Sequence, residues 1–419
     1  MKVVPFGVYI SVPFCCTKCS FCNFASGVYS RELFARYVER VCADIACAGQ
    51  LASEMGGRFD AEVDSIYLGG GTPTLLEPPE LQRIFDALRA PFRVHRDAEI
   101  TVECAPGTLS PEMLQTLLRC GVNRISLGVQ SFIDEEARSV GRLHTRAVAL
   151  DDLSRLRAAG ITNLSLDLIA GLPHQTRDSW EYSLAQTIAA GVPHVSVYML
   201  EVDEDSRLGR ELIAAGARYH AHFVPDGDAT ADLYLQACDR LNNAGITQYE
   251  ISNFARDRSP DHPITRSPGL PAFASRHNLK YWTRQPYLGF GVDAHSMLLA
   301  AGREYESVRW ATPDSLERYL AGEAPQRTPV IQAAALEEAY FLGLRLNCGV
   351  QLRDLAGRYG AEAATAFRDQ IAELRSLELI EVAGGTIRLT ARGRLLSNEV
   401  FQRFLGTVDR PVGPSLIRR

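Results

Sequence analysis

Gly7–Phe14 (GVYISVPF) runs without a break into Cys15-Cys16-Thr17-Lys18-Cys19-Ser20-Phe21-Cys22. The first segment is rich in β-branched and aromatic residues and reads as a strand. The second crowds four thiols into one loop. This strand, which empties into a cysteine loop, is the first of a series, because the same strand signal recurs five more times. Val63–Gly71 (VDSIYLGGG), Glu99–Cys104 (EITVEC), Arg124–Gln130 (RISLGVQ), Asn163–Ile169 (NLSLDLI) and His194–Leu200 (HVSVYML) are short β-rich runs. Between them, Arg31–Ala52, Pro79–Ala90, Pro111–Cys120, Arg146–Ala159 and Arg177–Ala190 carry apolar residues at helical spacing. Gly121, Gly160 and Gly191 each follow a helical stretch, where a C-terminal capping glycine belongs. Six β-α repeats imply an α/β fold with a parallel sheet and right-handed crossovers. The strands read as near-continuous apolar runs, which fits a sheet covered on both faces. Periodicity allows either an open sheet or a partial barrel, and both place the chemistry at the carboxyl ends of the strands.

Composition narrows the function classes. The formal charge of −6 over 419 residues is no nucleic-acid footprint. No apolar run approaches the ~20 residues of a membrane span, and Met1–Phe14 lacks the pattern of a signal peptide. The expected location is the cytoplasm, with peripheral contact at the inner membrane left open. Cys42, Cys47, Cys104, Cys120, Cys238 and Cys348 are scattered and read as core thiols, whereas the tight cluster reads as a metal site.

The repeats end near residue 245. Ser252–Pro271 has four prolines and mixed charge and reads as a surface loop or insertion. Ala334–Leu346 and Ala361–Leu377 are helical by pattern, and Leu379–Val382 and Thr386–Leu389 flank Ala383-Gly384-Gly385 as a hairpin, with a last helix from Ala391. The expected organisation is a core over 1–245, an extension over 246–330, and a small α+β winged-helix-like domain over 331–419. That last unit is not notably basic, so a structural or partner-docking role is favoured over DNA binding.

Thiolates select iron–sulfur clusters, zinc or copper(I). Cys15, Cys19 and Cys22 can hold three corners of a cubane and leave one iron open, whereas structural zinc wants four ligands. A fourth could come only from the adjacent Cys16 or from far away. The strand–loop setting therefore favours a [4Fe–4S] cluster over zinc. Tyr9-Ile10-Ser11-Val12-Pro13-Phe14-Cys15 with Cys19-Ser20-Phe21-Cys22 resembles the opening of radical-SAM proteins of the coproporphyrinogen-dehydrogenase group, and the resemblance covers nearly the whole chain. It implies a partial (β/α)6 barrel and an open iron that chelates S-adenosylmethionine.

The resemblance implies further site residues. Gly69-Gly70-Gly71-Thr72-Pro73 matches the element that accepts the amino group of S-adenosylmethionine. Glu103 would hydrogen-bond the ribose, although Ala105 stands where the family usually has Asn. Gln130 and Asp167 end the fourth strand and sit on the fifth. Arg142 matches the arginine that pairs with the methionine carboxylate, a charge-assisted contact. Tyr9 and Phe21 match positions that touch the nucleotide. Ser11 stands where the family often has His.

Branches of the group differ in three features. The oxidase branch has a further cysteine where this chain has Phe24, and a long N-terminal arm where only fourteen residues precede Cys15. Arg276-His277-Asn278-Leu279-Lys280-Tyr281-Trp282, after Tyr249-Glu250-Ile251-Ser252-Asn253, is similar to the HN-x-x-YW signature of the haem-chaperone branch. The resemblance then implies a protein that binds haem b through His277 and passes it to apo-haem proteins such as membrane respiratory enzymes. Gly289–Ser296 would shape the pocket floor, with His295 a weaker ligand candidate, and the cluster would assist a homodimer or trigger transfer. The alternatives are an enzyme, either coproporphyrinogen III dehydrogenase or a radical-SAM methyltransferase, and a binding module without redox chemistry.

Overall fold

A computed structural model describes residues 4–58, 60–204, 206–214, 216, 220–257 and 269–406. Two compact units emerge, one of residues Met1–Tyr281 and Gln285–Pro329, the other of Trp282–Arg284 and Val330–Arg419. In the first, six strands alternate with helices as the turn signals require: β1 (Phe6–Val12), α1 (Arg31–Ala46), α2 (Ala48–Glu54), β2 (Glu62–Gly70), α3 (Pro78–Arg89), β3 (Arg93–Cys104), α4 (Pro111–Arg119), β4 (Arg124–Gln130), α5 (Asp134–Ser139), α6 (Arg146–Ala158), β5 (Asn163–Ala170), α7 (Arg177–Ala189), β6 (His194–Met199), α8 (Arg207–Ile213) and α9 (Gly227–Asn243). Gly121, Gly160 and Gly191 have φ of +81°, +89° and +64°, the left-handed geometry that ends a helix. Ser110, Thr145 and Thr176 cap the N-termini of α4, α6 and α7 with their side-chain oxygens. The helix expected over Arg31–Ala52 is broken at Cys47, which leaves helical geometry at ψ +4° and starts α2.

The chain then adds β7 (Thr247–Gln248), β8 (Asn253–Ala255), α10 (Arg276–Trp282), β9 (Tyr287–Gly291), β10 (His295–Leu299), β11 (Ser307–Ala311), α11 (Leu316–Leu320) and β12 (Gln326–Val330). The sheet runs β12-β11-β10-β9-β1-β2-β3-β4-β5-β6-β8-β7 and stays open between its two edges, a partial barrel. β9 pairs parallel with β1 (Tyr9↔Gly289, Ser11↔Gly291), so Gly289–Gly291 belong to a seventh parallel strand. β8 begins the stretch read as a loop over Ser252–Pro271; it pairs antiparallel with β6 through Asn253↔Ser196. Residues 258–268 of that stretch lie outside the described residues.

The strands are not apolar throughout. Polar and apolar residues alternate with period two, as on any pleated strand with unlike faces. Ile125, Leu127, Leu164, Leu166, Leu168, Val195 and Val197 are buried on the outer face. The inner face carries Ser65, Glu99, Thr101, Arg124, Ser126, Asn163, Ser165, His194 and Ser196, all buried and polar. The register stacks them in layers: Tyr9↔Tyr67↔Thr101↔Arg124↔Asn163, then Glu103↔Ser126↔Ser165↔His194 toward the carboxyl ends. The barrel therefore has a polar lumen, the setting a charged ligand needs.

The second unit contains α12 (Gln332–Leu344), β13 (Val350–Gln351), α13 (Leu352–Tyr359), α14 (Arg368–Ser376), β14 (Ile380–Ala383), β15 (Thr386–Leu389), α15 (Ala391–Leu395) and α16 (Ser397–Gln402). The hairpin is present and gains β13 as a third strand. The single helix expected over Ala361–Leu377 is instead a 3-10 turn (Ala361–Ala364) and α14, broken where Phe367 turns inward against Tyr340 at 4.8 Å and Phe404 at 5.4 Å. The Arg284 guanidinium is buried here on Glu338 (2.8 Å) and donates to Tyr359 Oη (2.7 Å).

Candidate radical-SAM site

The cysteine loop is folded by the backbone before any ligand is considered. Cys15 N donates to Gly27 O (2.9 Å) and Gly27 N to Pro13 O (2.8 Å), closing the loop on itself. Cys22 N donates to Cys19 O (3.3 Å) and Ser20 N to Val140 O (3.1 Å), while Thr17 Oγ1 donates to Gly141 O (2.8 Å). Cys19 is buried, Cys15 and Cys22 are half-buried, and Cys16 is exposed. Burial pushes the Cys15 thiol up, against opposing hydrogen bonds to Ser26 and Thr72. Among the described residues no three His, Cys, Asp or Glu side chains gather as ligands of a single metal ion. Three thiols on one loop, with Cys16 turned out to solvent, suit three corners of an iron–sulfur cube.

The Gly69–Thr72 turn is sewn to this loop. Gly71 N donates to Val12 O and Thr72 N to Phe14 O, both at 2.7 Å. A Cβ on Gly71 would stand 2.6 Å from Phe14 O and 2.8 Å from Val12 O. Gly70 has φ +98°. Glycine is required by contact with β1 as much as by any ligand.

Glu103 faces the turn from β3. Its Oε1 accepts from Tyr67 Oη (2.8 Å) and its Oε2 from Gly70 N (3.2 Å). Burial, with Asp167 adding to it, pushes the carboxyl up to about 7 against those two hydrogen bonds. The folded chain thus holds a proton that the unfolded chain releases, so its stability contribution is full below the ordinary 4.5 and falls as pH rises to about 7. The melting temperature of the ligand-free protein should fall across that window, by the equivalent of about 2–3 kcal/mol, and Glu103→Gln should flatten the fall. A differential-scanning series from pH 4 to 8 measures it; a wild-type profile as flat as the variant's would mean that the carboxylate is solvated.

Gln130 follows a register shift in β4 and has φ +66°. Arg142 Nη1 lies 3.7 Å from Cys19 Sγ, and Nη2 donates to Gly128 O. Its Nε is buried with no hydrogen-bond partner. A buried guanidinium N–H without an acceptor beside the cysteine loop fits an incoming carboxylate. Asp167 accepts from Ser126 Oγ at 3.0 and 3.1 Å, and burial raises its carboxyl. Phe21 packs against Val140, Ile169 and Leu172 at the end of β5.

His277 sits lower in the lumen. It is 1% exposed, and both ring nitrogens are engaged, Nδ1 with Ser65 Oγ (3.1 Å) and Nε2 with Tyr281 Oη (2.8 Å). Tyr67 and Tyr9 lie 5.4 and 6.1 Å from its ring centroid. Burial, aided by Lys280, pushes the imidazole down to about 3, so it is neutral at every physiological pH. Glu99 Oε1 anchors the start of α10 by accepting from Arg276 N (2.9 Å) and His277 N (3.3 Å). Tyr9 thus touches the His277 layer directly. Sequence alone does not single out Tyr67, Glu99, Arg124 or Ser126; only the period-two polarity of the strands marks them.

Such a lumen, closed at one end by thiols and a glycine turn, is the architecture of the radical-SAM class. Residues 9–187 match the Radical SAM superfamily and residues 332–396 the HemN C-terminal domain. The chain is 31% identical to "Heme chaperone HemW" of Bacillus subtilis (95% of this chain, 98% of that one) and 30% identical to that of Lactococcus lactis (96% and 97%). It belongs to the HemW family of radical-SAM proteins. The fold also matches the solved coproporphyrinogen III oxidase (HemN) of Escherichia coli, with a TM-score of 0.77, 24% identity, and coverage of 96% of this chain and 90% of that one. No helix among the described residues is long and apolar enough to cross a membrane.

Proposed function

We propose that this chain is a haem chaperone that holds a [4Fe–4S] cluster and S-adenosylmethionine, binds haem b and passes it to apo-haem proteins. The observation that carries the reading is the pairing of a radical-SAM lumen with a neutral imidazole, His277, on the HN-x-x-YW helix directly beneath it. When bound, the cluster supplies an open iron that chelates S-adenosylmethionine and an electron for its cleavage. The chain's own residues do the rest. Cys15, Cys19 and Cys22 hold the cluster. The Gly70-Gly71-Thr72 backbone receives the amino group, and Arg142 Nε the carboxylate. Glu103 takes the ribose hydroxyls, while Gln130, Asp167, Tyr9 and Phe21 line the approach.

Haem iron reaches His277 Nε2 when Tyr281 Oη leaves it. Nε2 is the ring nitrogen that this displacement frees, because its partner among the described residues is the Tyr281 hydroxyl. Nδ1–H stays on Ser65 Oγ, the outer hydrogen bond a metal-bound histidine needs. Delivery to respiratory enzymes at the membrane surface, by a homodimer, completes the proposal. The test is anaerobic: cluster-loaded protein is titrated with haem b and mixed with an apo-haem protein, with porphyrinogen oxidation and 5′-deoxyadenosine release assayed alongside. Stoichiometric uptake followed by transfer is expected. Porphyrinogen-dependent 5′-deoxyadenosine release without haem uptake would overturn the reading.

A further inference from the structure

A second pair of imidazoles lies at the surface, outside the lumen. His174 follows β5 in the Gly171–Gln175 turn, at the carboxyl ends of the strands. His220 opens the 3-10 turn Ala221–Phe223. His174 Nε2 and His220 Nδ1 are 3.0 Å apart. The two loops are joined by His174 N donating to Phe223 O (3.0 Å), and the Phe223 ring stacks on His174 at 4.2 Å. Ala221 N donates to Glu211 Oε1 (3.3 Å), which fastens the turn to α8.

His174 and His220 have φ of +66° and +60°. A left-handed non-glycine residue costs about 1–2 kcal/mol, a cost that the His174 N–Phe223 O bond, the Phe223 stack and the imidazole pair offset locally. Paired strain at the surface points to a use. Either ring can donate in this contact; in the tautomer in which His220 Nδ1–H donates to His174 Nε2, the His220 Nε2 lone pair is left without a partner among the described residues. That is the state of a ligand imidazole whose second nitrogen is held.

The donor count decides what it would bind. No third His, Cys, Asp or Glu joins the pair among the described residues. A bare divalent ion of the zinc class wants three or four protein ligands. Haem iron already has four nitrogens from its macrocycle and needs one axial donor plus apolar contact. Phe223, Leu212 and Ile213, on the turn and on the helix it is fastened to, are exposed large apolar side chains. We infer that this surface captures haem, with His220 Nε2 as the axial ligand and His174 as the residue that orients it. The step forms one Fe–N bond, displaces water from the iron and transfers no electron. The inference rests on the haem-chaperone reading and adds to it the place where haem first lands.

Stopped-flow absorbance with ferric haem b tests it on the full, cluster-loaded chain. Asparagine tolerates the left-handed backbone, so His220→Asn and His174→Asn are the variants, with His222→Asn as the control on the same turn and circular dichroism to confirm folding. His220→Asn should slow association by about tenfold or more, a loss of about 1.4 kcal/mol. His174→Asn should slow it less, and His222→Asn should match wild type. If wild type takes up haem and His220→Asn does so at the same rate and with the same early spectrum, the capture site is wrong while the chaperone reading stands. If wild type takes up no haem, both fall.

Discussion

Replacing Gly71 by alanine should empty the site while leaving the barrel folded. The new Cβ would stand 2.6 Å from Phe14 O and 2.8 Å from Val12 O. These are the two carbonyls that accept from Thr72 N and Gly71 N. Neither can rotate away, because Val12 ends β1 and Phe14 is locked between Phe34, Tyr37 and Tyr29. The turn must lift, and it takes both hydrogen bonds with it. Overpacking of this kind costs about 1–3 kcal/mol, and each lost hydrogen bond about 1 kcal/mol more. The outer face of the sheet, buried under its helices, is untouched, so the chain should still fold. Cys15 follows Phe14 directly and would lose its placement against Thr72. We expect iron per chain after anaerobic reconstitution to fall by more than half and S-adenosylmethionine affinity to fall at least about tenfold. Gly160→Ala is the control: it pays for a left-handed φ but meets nothing within 4 Å, and should lose some stability while keeping its iron. Wild-type iron content in Gly71→Ala would mean that the turn and the cysteine loop are not coupled.

Much of this site is written in local sequence because its parts are local. The cysteine loop and the glycine turn each occupy one stretch of chain at the end of one strand, and their neighbours in space are set by strand order. Other features depend on partners far apart along the chain. Tyr67 meets Glu103 across 36 residues, and His174 meets His220 across 46, with nothing in either stretch to announce the other. The lumen is an intermediate case. Arg124, Ser126, Asn163, Ser165, His194 and Ser196 alternate with aliphatic residues, but short strands weighted toward Leu, Ile and Val hide the period. The break before α14 has another cause. Residues 361–377 favour helix locally, and burial of the Phe367 ring against Tyr340 and Phe404 overrides that preference.

The HN-x-x-YW signature is equally legible, yet its histidine does not stand open as a signature alone suggests. Two variants separate ligand from scaffold. Tyr281→Phe keeps the aromatic ring, which contacts His277 edge-on at 5.2 Å and Tyr287 at 4.7 Å. It removes only the hydroxyl that occupies His277 Nε2. If iron must displace that hydroxyl, deleting it removes a competing hydrogen bond worth about 1 kcal/mol, and haem affinity should rise by roughly fivefold. The effect should be flat from pH 6 to 8, because burial holds the imidazole near 3 and no proton competes in that range. His277→Gln makes the opposite change. Its amide can still bridge Ser65 and Tyr281 and keep α10 seated on Glu99, but it offers iron no imidazole. It should fold like wild type and lose the imidazole-type haem spectrum. If both variants bind haem with wild-type affinity and spectrum, His277 is a scaffold residue that seats α10 beneath the lumen, and the iron ligand lies elsewhere on the chain. If Tyr281→Phe tightens binding while His277→Gln abolishes the spectrum, opening the Tyr281–His277 contact is the step that admits haem, and re-forming the same contact is what helps haem leave.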